Sequence, residues 1–182
     1  MKKTILTFGL ISGAISSLVM VAIVPFADRI GFERGPVIGY TSIVLSFLLV
    51  FFGIRSYRDN MGNGQITFLK AFVVGISITL ISCACYVVTW EVIYYNFLPD
   101  FWDKYGAHLV EKLRASGASD AAVQARLQEM AKYKELYKNP LFNAVLTFIE
   151  PFPIGLVITL ISALVLRRRP SSQPERSPLP TS

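Results

Sequence analysis

The chain has 182 residues, of which 53% are hydrophobic and only 16% charged, with a net charge of +6 and a mean hydropathy of +0.49. Soluble domains average about 25% charged residues, so a deficit of this size in a chain with long apolar stretches points to a lipid bilayer as the solvent. The positive charge does not imply a nucleic-acid partner, because the basic residues sit at the ends of apolar runs instead of gathering on one folded face.

Taken in order, the first apolar run covers residues 4–26 and is preceded by Lys2 and Lys3. A basic start before an apolar stretch also fits a secretory signal. This run exceeds the roughly 7–15 residues of a signal core, and Pro25 stands where a small residue would precede cleavage, so a retained membrane helix is expected. The second run covers 36–54, the third 68–94 with Lys70 and Glu91 as its charges, and the fourth 141–166 with Glu150. Each reaches the roughly 20 residues that cross about 30 Å of hydrocarbon as a helix. The alternation expected of a membrane β-barrel is absent from the sequence. The fold class predicted is therefore all-α: a polytopic membrane protein with four transmembrane helices.

Between the second and third runs lies "GIRSYRDNMGNGQITFLKAF", residues 53–72. Its glycines invite comparison with a phosphate-binding loop. That loop needs Gly-Lys-Ser/Thr between a strand and a helix, and here Gly64 is followed by Gln65. Asp59, Asn60, Gly62, Asn63 and Gly64 instead read as a turn between two membrane helices. Lys2 and Lys3, then Arg55, Arg58 and Lys70, then Arg167, Arg168 and Arg169 all fall on one side of a four-crossing arrangement. The positive-inside rule makes that side the cytoplasm. Arg55, Arg58, Lys70 and Arg167 to Arg169 are candidate contacts for lipid head groups, worth about 1 kcal/mol each near an anionic surface.

"YRD" at Tyr57 to Asp59, "GQITFLKAF" at Gly64 to Phe72, and then Gly75 resemble a bacterial membrane-protein family known as domain-of-unknown-function family 4199. The resemblance extends over roughly residues 1 to 167 and is sharpest from Tyr57 to Gly75. It implies a multi-pass protein of the bacterial inner (plasma) membrane with four helices and a long segment before the last one. It implies no activity, substrate or catalytic residue.

Residues 99–140 form the largest non-membrane piece, expected outside the cytoplasm as an extracytoplasmic helical hairpin. Leu109, Val110 and Leu113 mark one apolar face, and Val123, Leu127, Met130 and Tyr137 a second. Gly117 is a helix end and Ser119 an N-cap. Pairs at i,i+3 spacing (Glu111/Arg114, Glu129/Lys132, Glu135/Lys138) are expected to support the two helices. The hairpin reads as lying on the bundle or on the bilayer, with docking of a partner as the rival reading. Trp90, Tyr94, Tyr95, Phe97, Phe101 and Trp102 are expected to form an interfacial aromatic belt. Domain 1–169 is then followed by residues 170–182, "PSSQPERSPLPTS" after Arg169, expected to be a disordered cytoplasmic tail.

Three rows of small residues suit close helix approach in lipid: Gly9, Gly13, Ser17; Ala71, Gly75, Thr79, Cys83; and Gly155, Thr159, Ala163. They pack the bundle internally or, in the Gly9, Gly13, Ser17 row, join a homo-oligomer. The single histidine, His108, provides no metal cluster. Cys83 and Cys85 lie about 200° apart around a helix and read as packing residues. No catalytic constellation or cofactor motif is legible. Both membrane carboxylates, Glu91 and Glu150, fall in the outer part of the bilayer, with Pro151 and Pro153 positioned to kink the last helix beside Glu150. Two readings follow. Either they reach interfacial water or pair with a lysine or arginine of the hairpin, or they form a cation or proton site. The function expected is that of a non-enzymatic accessory or structural membrane protein, with a small cation- or proton-coupled transporter using Glu91 and Glu150 as the alternative.

Overall fold

The computed structural model describes residues 1–168, so Arg169 and the expected tail lie outside the described residues. It is all-helical, with seven α-helices in the order α1 (Lys2–Ile23), α2 (Ala27–Met61), α3 (Phe68–Phe97), α4 (Phe101–Ala115), α5 (Asp120–Leu136), α6 (Pro140–Ile149) and α7 (Pro151–Leu166). Three helical stretches are long and apolar enough to cross a membrane: Lys2–Met61, Phe68–Phe97 and Pro140–Leu166. The first stretch is folded on itself. A short 3-10 turn at Val24–Phe26 and a break at Gly31, whose φ of 71° favours a residue without a Cβ, let α2 run back along α1. Pro36 sits shortly after that break, where a new helix tolerates a missing amide.

The expected turn at residues 59–64 is shorter than the sequence suggested. Helix α2 continues through Tyr57, Arg58, Asp59 and Asn60 to Met61, and the reversal is confined to Gly62–Gln65. Gly62 donates its amide to Arg58, and Asn63 and Gly64 take positive φ values of 48° and 76°. Turn-forming side chains at Asp59 and Asn60 therefore occupy the last helical turn: Asn60 bonds back to Ser56, and Asp59 meets Arg58 at 2.7 Å and Arg55 at 3.6 Å. Thr67 then caps α3, its hydroxyl accepting from the Lys70 amide. Ile66, 3% exposed, forms an isolated antiparallel bridge with Arg168, which ties this turn to the end of α7.

The core runs between α1, α2, α3 and α7 around Ile43, Phe47, Val50, Ile54, Val74 and Ile78. All three small-residue rows are spent inside it. A Cβ on Gly9 would stand 2.8 Å from the Ile81 side chain, one on Gly13 2.6 Å from Cys85, and one on Gly75 2.8 Å from both Ile54 and Thr159. Ser17 completes the first row by accepting from Thr89 at 2.9 Å. The face offered above for a second copy is thus occupied by α3 of the same chain. Hydroxyls bond across these close approaches: Ser12 reaches the Ser46 carbonyl at 2.9 Å and the Ser82 hydroxyl at 3.0 Å, and Thr79 meets Thr159 at 3.0 Å. Each such bond satisfies polar groups that would otherwise be stranded, for about 0.6 kcal/mol on average in membrane bundles.

Helices α4 and α5 form the expected hairpin, closed where Gly117 takes a φ of 78° and Ser119 caps α5. Lys134 bonds Asp103 at 2.6 Å, and Trp102 packs between Tyr133 and Tyr137. Of the expected i,i+3 pairs, Glu135–Lys138 forms at 2.8 Å, whereas Glu129 turns to Arg126. The hairpin lies on one end of the bundle. Lys104 reaches Asp28 at 3.2 Å, Lys112 reaches Glu33 at 2.6 Å, and Phe32 inserts beside Phe101 and Tyr105.

Candidate functional site

Glu150 is the one residue between α6 and α7. Its position follows from two prolines. Pro151 has no amide to bond the Thr147 carbonyl, and Pro153 none for Ile149, so the helix is weakened at two successive steps beside the carboxylate. Across the bundle, α3 presents Tyr86, whose hydroxyl donates to Glu150 Oε2 at 3.2 Å. Tyr40 of α2 lines the same space as Glu150. No lysine, arginine or histidine lies within ion-pair distance of Glu150 among the described residues.

These three side chains stand in a cavity of about 1030 Å³ between the second half of α1, the first half of α2, α3 and α6, with α4 across its mouth. Gly31, Gly35 and Gly39 of α2 line this space. A Cβ added to Gly35 or Gly39 would meet no atom within 4 Å. Val19, Met20 and Leu146 give apolar walls, and Tyr40, Tyr86 and Trp90 give aromatic ones. Its acidic lining residues are Asp28, Glu33, Asp100, Glu111 and Glu150, against Arg34 and Lys104 as bases. At the mouth the Lys112 ammonium holds the Glu33 carboxyl below the usual carboxylate range, and His108 stands 3.9 Å from Glu33.

The two carboxylates singled out in the sequence do not share this site. Glu150 lines the cavity and Glu91 does not. Glu91 is half-buried on α3, and its Oε1 atom has no hydrogen-bond partner. The expected aromatic belt is in large part a packed cluster: Trp90, Tyr94, Phe101, Trp102 and Tyr137 contact one another edge to face, joining α3 to the hairpin.

A polar centre escaped the sequence reading. Asn143 is fully buried, and its Oδ1 accepts from Trp90 Nε1 at 3.0 Å and from the Thr147 hydroxyl at 3.2 Å. An amide inside a long apolar run was the signal for it, because a buried amide must find partners. This centre fixes the Trp90 ring on the cavity wall.

At the opposite end of the bundle, the basic residues have different fates. Arg55 is largely exposed, Arg58 is held against Asp59 with its side chain 13% exposed, and Lys70 lies over the Tyr57 ring at 5.8 Å. Arg167 and Arg168 are exposed at the end of α7, while Arg169 lies outside the described residues. Arg55, Arg167 and Arg168 are therefore the freest to meet a head group.

A family model described as "Protein of unknown function (DUF4199)" matches residues 7–168. No curated protein and no solved structure matches the chain.

Proposed function

The chain belongs to the DUF4199 family, and we propose that it is a non-enzymatic integral protein of a bacterial inner membrane that binds a cation at Glu150. In this reading α1, α2, α3 and the α6–α7 pair are four crossings, both chain ends are cytoplasmic, and the hairpin stands outside. The observation that carries the binding role is Glu150 itself: a carboxylate on the cavity wall, hydrogen-bonded by Tyr86 and, among the described residues, with no cationic side chain within ion-pair distance. Removing a carboxylate from water costs several kcal/mol unless a counter-charge or proton accompanies it, so such a group recruits one from outside the chain.

An accessory role follows if binding is the whole activity. Coupled transport is the second reading, favoured by the place of Glu150 at the α6–α7 break, where a small hinge motion would carry the carboxylate with it. Labelling by a carbodiimide, whose central carbon is attacked by carboxyl oxygens, tests the site. In membranes, Glu150 is expected to be labelled, and saturating cation is expected to protect it. A Glu150 that reacts identically with and without every cation tried overturns the proposal.

A further inference from the structure

Resting on that reading, we propose that the ligand is a lipophilic organic cation, an alkylated ammonium or phosphonium with an apolar body of drug-like size, and not an alkali or divalent metal ion.

The size of the space argues first. Sites for drug-sized ligands run to about 300–1,000 Å³, and the cavity at Glu150 measures about 1030 Å³. A bare ion would leave nearly all of it unfilled. Ligand supply argues next. Calcium takes about 6–8 oxygen ligands, but among the described residues the one side-chain oxygen hydrogen-bonded to Glu150 is the Tyr86 phenol, and Glu91 lies off the cavity. That phenol donates to the carboxylate and orders it.

The walls fit the other half of such a ligand. Tyr40, Tyr86 and Trp90 line the same cavity as the carboxylate, and alkylated ammonium groups are held by ring faces together with an acid. Beyond them Val19, Met20 and Leu146 bury apolar surface. The Asn143–Trp90 bond sets the Trp90 ring before a ligand arrives, which reduces the entropy lost on binding. Along α2, Gly35 and Gly39 leave the space unobstructed.

The test is binding of tetraphenylphosphonium to the full chain in phosphatidylglycerol nanodiscs, with tetraphenylborate as the anion of the same shape and empty discs as the baseline. The phosphonium is expected to bind and to protect Glu150 from the carbodiimide; the borate is expected to match the empty discs. Glu150→Gln, which keeps the shape of the side chain, should weaken phosphonium binding at least tenfold. Gly39→Leu, whose Cβ enters open space on the cavity wall, should weaken it severalfold at unchanged thermal stability. Equal binding of cation and anion, or phosphonium binding unchanged in both variants, overturns the proposal. If sodium or potassium protects Glu150 while the phosphonium does not, the lipophilic class falls and the cation site stands. If nothing protects Glu150, both fall.

Discussion

Ile66 and Arg168 exchange both backbone hydrogen bonds, at 3.1 and 2.9 Å, so the turn after α2 and the end of α7 are joined at one end of the bundle. Met1 also contacts Met61 there, through its amino group and the Met61 sulfur at 3.1 Å. Asp28 and Glu33 meet the hairpin at the other end. Lys2, Lys3, Arg55, Arg58, Arg167 and Arg168 thus gather at a single end, the distribution that the positive-inside rule assigns to the cytoplasm.

Reporter fusions check that assignment. Fusions at Gly62 and at the C-terminus should read cytoplasmic, and one at Gly117 should read external. An external signal at Gly62 would invert the whole arrangement.

Gly13→Leu should destabilise the single chain. Its new Cβ would stand 2.6 Å from Cys85 Cβ and 3.3 Å from the Ser82 backbone, which cannot swing aside as a side-chain tip can. Overpacking of this kind costs about 1–3 kcal/mol, read as a lower unfolding midpoint in detergent at any protein concentration. A change in oligomer size with no loss of midpoint would show instead that this row faces a second copy.

The long apolar helices were legible because a helix of bilayer length needs a long apolar run whatever the tertiary structure. Gly117 and Ser119 were legible because helix ends are settled by a few neighbouring residues. Asp59 and Asn60 misled for the opposite reason: residues that favour turns were absorbed into a helix that a buried Tyr57 and a bond from Asn60 to Ser56 extend. The Ile66–Arg168 bridge carries no side-chain signal, since both of its bonds are backbone bonds. At the site, Glu150 stood out as an acid in an apolar run, but its partners did not. Tyr40 and Tyr86 are distant in sequence, and periodicity does not reveal that they line one cavity with Glu150.

Acid should loosen the hairpin. Glu33 bonds Lys112 at 2.6 Å, and that ammonium keeps the Glu33 carboxyl below its ordinary range. A carboxylate lowered on docking stabilises the docked state above the ordinary glutamate pKa and ceases to do so as pH falls through the lowered value. Spin labels at Arg29 and Glu111 should therefore move apart below that value, and less sharply so at high salt, because exposed pairs are screened. Lys112→Ala should abolish this acid step. A step of equal size in that variant would mean another group controls docking.

Asn143→Leu tests the buried amide centre and separates it from Glu150. The substitution keeps the volume close and matches the apolar run, so a packing argument alone predicts little change. Hydrogen bonding predicts otherwise. Asn143 Oδ1 is the acceptor for Trp90 Nε1 and for the Thr147 hydroxyl, at 3.0 and 3.2 Å. Leucine strands the indole donor in a half-buried position, and an unsatisfied donor costs about 1–3 kcal/mol. Trp90→Phe in the same background removes the stranded donor and should restore part of that loss. In such a double-mutant cycle the two changes are non-additive if the bond matters and additive if it does not. Chemical unfolding in a mild detergent gives all four stabilities, and indole fluorescence reports whether the Trp90 ring has become mobile. Additive costs, with unchanged fluorescence in Asn143→Leu, would reduce Asn143 to a tolerated polar residue and leave the Trp90 wall held by aromatic packing alone.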